Sequence, residues 1–138
     1  MLPVYQESDL IGMKALTVLQ PWAWAIMDGR KRVENRSWRT RHRGPLLIHA
    51  GKGRRWFRDS RELPDGSNHP SAVDLSYGAI LGIVQIVDCV PVAEKADDPF
   101  ASGPWCFVLE KPEKFEQPIA CLGTQMLWTF RGGNRQMG

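Results

Sequence analysis

The chain has 138 residues, of which 43% are hydrophobic and 24% charged, with a formal net charge of +3. That size suits one domain with a real hydrophobic core, and no apolar run approaches the roughly 20 residues of a membrane span. The first twelve residues lack the basic and apolar regions of a secretory signal, so they are expected to be a loose extension of a cytoplasmic protein, with the domain over 13–131 and a polar tail over 132–138.

Taken in chain order, KALTVL (Lys14–Leu19) is rich in β-formers and reads as a first strand. PWAWAIMDG follows, with Pro21 suited to a first helical turn, Gly29 to the residue past the end, and Trp22, Ala25 and Ile26 on one face; this predicts a two-turn helix. KRVENRSW reads as a polar strand, RTRHRG as a turn and PLLIHAG as a short apolar strand. KGRRWFRDSREL is expected to begin a short basic helix. Residues 64–74, PDGSNHPSAVD, form a loop, the best place for a lid or an insertion. YGAILGIVQIVDCVPVA predicts a core strand bent or bulged at Gly82. EKADDPFASG is an acidic loop, PWCFVLEKPEKF a strand interrupted by Pro112, and PIACLGTQMLWTF ends the core on a short strand. About six short strands with two or three short flanking helices, without βαβ alternation, indicate an α+β, β-rich, partly closed mixed barrel.

The modest net charge hides an asymmetry. Residues 29–61 hold ten arginines and two lysines against Glu34 and Asp59, a local charge of +10 that leaves −7 for the rest. Such a block is the footprint of a polyanion partner, and arginine is the better phosphate fork and stacking cation. Trp56 sits among arginines in GRRWFRD, the aromatic-basic interleaving that single-stranded RNA needs for stacking. The three cysteines, Cys89, Cys106 and Cys121, fit no zinc spacing and read as buried thiols in a reducing compartment. No pattern for a metal, a phosphate-cradling loop or a cofactor is present, and none of these groups is expected.

The stretch KALTVLQPWAWAIMDGRKRVENRSWRTRHRGPLLIHAGK resembles the ASCH domain, a relative of the PUA RNA-binding domain. The signature G-x-K-x-x-E-x-R is met by Gly29, Lys31, Glu34 and Arg36, just after the predicted helix. The elements QPWA, RSWRT and RGPLLIHA, and the later YGAILGIVQIVDCV, WCFVLEKPEKFEQPI and GTQMLW, are similar to bacterial single-domain members, so the resemblance runs roughly from Met13 to Phe130. It implies a PUA-like barrel, RNA binding, and a cleft lined by Lys31, Glu34 and Arg36. Under strict alternation Lys31 falls on the opposite face from Glu34 and Arg36. All three share a cleft only if Lys31 lies in the turn before the strand.

Three functions follow. The first is binding of single-stranded RNA or a nucleotide, with metal-independent ribonuclease activity as its catalytic form. Such cleavage needs a base for the 2′-hydroxyl and a cation for the phosphorane. Lys31, Glu34 and Lys52 are the catalytic candidates, with Glu34 ahead of His49 as base, since a strand histidine is more often a hydrogen-bonded core residue. Arg36, Trp38, Arg39, Arg54, Arg55 and Trp56 are the substrate-binding candidates. The second is hydrolysis of an acylated nucleoside such as N4-acetylcytidine; members with that activity resemble this chain at Lys31 and Arg36 but carry threonine where Glu34 stands. The third is RNA binding without catalysis.

Overall fold

The structure, a computed structural model, describes residues 5–133. Six strands form one curled sheet in the order β2-β5-β4-β3-β1-β6. They are β1 (Lys14–Val18), β2 (Val33–Arg36), β3 (Gly44–Ala50), β4 (Ala79–Pro91), β5 (Trp105–Ala120) and β6 (Leu127–Thr129). Only β1 and β3 pair in parallel; every other neighbouring pair is antiparallel. Two short α-helices, α1 (Glu7–Leu10) and α2 (Trp22–Met27), and two 3-10 turns complete the α+β, PUA-like fold. No helix among the described residues is long and apolar enough to cross a membrane.

The alternation of β1, β3 and β4 sends Leu16, Val18, Leu46, Ile48, Val84 and Ile86 to the concave face, where Ile26 and Met27 of α2 cover them. The opposite side chains, Ala15, Leu47, Ile80 and Ile83, form a second cluster with Phe115, Phe130 and Leu10 of α1. From Tyr5 onward, the segment expected to be loose is therefore packed: Leu10 is buried and Tyr5 lies against Phe115. Within the expected tail, 134–138 lie outside the described residues, and the Gly133 amide donates to Glu7.

Two further expectations are corrected. β5 is not interrupted at Pro112. Ile83 pairs with Glu113 and Gln85 with Glu110, so Lys111 and Pro112 fall in a bulge where proline's missing N–H breaks no ladder bond. KGRRWFRDSREL holds no helix. It has no apolar stripe to bury, and its cations take aromatic partners instead: Arg54 lies over Tyr77 at 4.5 Å and Arg55 over Trp56 at 5.4 Å. The 64–74 loop carries a 3-10 turn, Ala72–Asp74, and is tethered by the Glu62–Asn68 bridge and the buried His69.

Candidate functional site

The signature residues lie where α2 hands the chain to β2. Gly29 ends the helix with φ +83, open to glycine without strain. The amides of Arg30 and Lys31 then donate back to the Ala25 carbonyl at 3.1 and 3.0 Å. This turn lies before β2, where Lys31 had to be, and it frees the side chain from strand alternation. Lys31 is 4% exposed. Its Nζ donates to the Val33 carbonyl and stands 3.3 Å from Glu34 Oε1. The rings of Trp22 and Phe100 each lie 6.0 Å from it.

Arg36 holds the other carboxylate oxygen: Nε donates to Glu34 Oε2 at 3.0 Å, and Nη2 stands 2.8 Å from the same oxygen as an ion pair. Nη2 also donates to the Thr17 carbonyl at 2.7 Å. Thr17 is in β1 and Arg36 in β2, near opposite ends of the sheet order. This bond therefore spans the open seam of the curled sheet, and the triad of formal charge +1 sits at that seam. A carboxylate between two cations meets the condition for retaining buried charge, paired and hydrogen-bonded.

Above the triad lies a cleft of about 570 Å³, walled by Trp22, Trp38, Trp56 and Phe100, with Arg55 also in its lining. Trp38 packs edge-on against Phe107, and Trp56, 41% exposed, stands edge-on to Trp22. The Phe100 wall is set by Asn35, which no sequence pattern singles out. Its Nδ2 donates to the Phe100 carbonyl, and its Oδ1 accepts the amides of Ser102 and Gly103, all at 2.9 Å. In the sequence Trp22 reads only as a helix-face residue, and Phe100 falls within the acidic loop. Both become walls because β2, α2 and the 99–103 loop converge here.

Other candidates lie elsewhere. Lys52 does not join Lys31 and Glu34; it lines a second cavity on the far side of Arg36, because β3 ends beside β1 and not beside β2. Arg39 lies over Trp105 at 4.9 Å, and neither Arg39 nor Arg54 lines the cleft. His49 is buried with both nitrogens engaged. Nε2 donates to the Cys121 carbonyl at 2.8 Å, which leaves Nδ1 to accept from the Thr17 hydroxyl at 3.1 Å. Burial is the main cause of its lowered pKa. Cys89 is only partly buried, whereas Cys106 and Cys121 are buried thiols, as expected. Burial raises both, Cys121 to about 11, away from thiolate chemistry.

The curled sheet with a charged cleft at its seam defines a PUA-like domain. Residues 16–119 match the ASCH domain family model, and the protein belongs to that family. It is similar to Activating signal cointegrator 1 of Homo sapiens, 30% identical over 129 residues, and of Mus musculus, 29% identical over 129 residues. Each match covers 82% of this chain and 21% of the relative, so the chain spans about a fifth of the length of these proteins.

Proposed function

We propose that this ASCH domain binds single-stranded RNA and seats one nucleotide in the aromatic cleft above Lys31, Glu34 and Arg36. The observation that carries this reading is the pairing of a net-positive triad, buried at Lys31 and Glu34 and half-buried at Arg36, with exposed and half-buried indole rings in one cleft. Aromatic faces take a base and cations take its phosphate. A duplex keeps its bases stacked away from such a cleft, so single strands are favoured.

Binding without cleavage is the form the geometry favours. Both oxygens of Glu34 are held by cations, and Lys52 opens on the neighbouring cavity. A free carboxylate aimed at a 2′-hydroxyl would favour the ribonuclease form, and a free nucleophile or activated water would favour amide hydrolysis.

Fluorescence anisotropy with a short unstructured RNA tests the reading. Trp56→Ala, an exposed substitution, is expected to weaken binding by about tenfold or more, the effect of losing one stacked base. Preference for duplex, or equal affinity in W56A and wild type, would refute the proposal. Cleavage that survives EDTA and disappears in Lys31→Ala would establish the ribonuclease form instead.

A further inference from the structure

Arg36 and Trp38 face two cavities. Together with Thr17 and Leu19 they form a wall shared by the cleft and by a second cavity of about 940 Å³, whose lining includes Lys52, Leu122 and Met126. The binding mode above leaves this cavity unused. Leu122 is 74% exposed and Met126 54%. Met126 has φ +59, a left-handed conformation that is uncommon for any residue but glycine and tends to mark functional segments. The loop bearing these side chains passes close to the sheet at Gly123, where a Cβ would lie 2.6 Å from His49 Nδ1. Two apolar side chains thus stand exposed around a cavity that also presents an ammonium. Apolar surface beside a cation suits a nucleoside phosphate, with the base against the side chains and the phosphate at Lys52.

We propose that this second cavity takes the nucleotide adjoining the one in the cleft, so that the domain holds two consecutive nucleotides with their linking phosphodiester on Arg36. The inference rests on the RNA-binding reading above. Nε and Nη2 of Arg36 are committed to Glu34 and Thr17, while Nη1 has no hydrogen-bond partner among the described residues. A guanidinium fixed on two sides with its third nitrogen free is a preorganised phosphate donor. Its place on the wall common to both cavities is the place a linking phosphate would occupy.

Titration of the full chain with the four nucleoside 5′-monophosphates and the 5′-phosphorylated homodinucleotides pUpU, pApA, pCpC and pGpG, which carry a terminal phosphate for Lys52 as well as the linking one for Arg36, tests this; the readouts are tryptophan fluorescence and amide NMR shifts. At least one dinucleotide is expected to bind about tenfold or more tightly than its monophosphate, and to move the Lys52 and Met126 amides. The ratio of dinucleotide to monophosphate affinity is expected to fall toward one in Lys52→Ala and in the double variant L122A/M126A, both made at exposed positions. Monophosphate binding with no dinucleotide gain overturns this inference and leaves the cleft reading standing. Absence of any nucleotide binding overturns both. A wild-type dimer that dissociates in L122A/M126A would make this rim a contact between copies and also overturns the inference.

Discussion

His49, which as a lone strand histidine was the second choice for a general base, is committed to structure on both sides. The Trp128 indole donates to the Thr17 hydroxyl at 3.1 Å, Thr17 donates to Nδ1, and Nε2 donates to the Cys121 carbonyl. This chain requires a neutral ring, and burial holds its pKa below the ordinary 6.5. The unfolded chain exposes the ring and restores a value near 6.5. Above that pH both states are neutral and the contribution to stability is complete. As pH falls through 6.5 toward the folded value, the unfolded state takes up the proton first and stability declines. The urea midpoint is therefore expected to drop between about pH 7.5 and pH 5.5, and to drop less in His49→Gln. A wild-type midpoint that tracks H49Q across that range would show that the ring is not held neutral.

At the scale of elements, the sheet was largely legible and the connections were not. Six strands follow from apolar and β-branched runs that had to be buried, and the bend at Gly82 follows from a glycine inside one of them. The register of β4 against β5 shifts between Ile80 and Gly82. A Cβ at Gly82 would overlap the Glu113 carbonyl and approach Met27 Cε to 2.5 Å. Gly82→Ala is accordingly expected to cost about 2 kcal/mol, the scale of an overpacked core, measured by urea unfolding; an unchanged midpoint would mean that β5 yields. Pro112 and the arginine-rich stretch 52–63 depart from the sequence pattern for a shared reason. Their conformations depend on partners distant in sequence, a bulge opposite Ile83 and the ring of Tyr77. The signature triad was legible as a set. Its meeting in one cleft needed the turn at Gly29, and the separation of Lys52 needed the strand order.

Across the whole molecule, the +10 of residues 29–61 does not form one uniform patch. Arg30 pairs with Asp28, Arg43 with Asp88 and Arg36 with Glu34. Among the described residues, Lys52, Arg54 and Arg55 make no ion pair, and they are exposed beside the two cavities or next in sequence to residues that line them. With Arg36, these three are the cations placed at the two cavities for phosphate. If each of the four neutralises one phosphate of a single strand, the logarithm of the binding constant should fall against the logarithm of salt with a slope of about −2.8, at roughly 0.7 per phosphate. Arg54→Gln with Arg55→Gln should bring that slope to about −1.4 and weaken binding most at low salt. Trp56→Ala should lower affinity at every salt concentration with the slope unchanged, because stacking releases no counterions. Anisotropy titrations over a potassium chloride series separate the two effects. A slope that stays near −2.8 in the double variant, at roughly 0.7 per phosphate, would move the phosphate path away from the 52–61 loop, toward the arginines that follow Trp38.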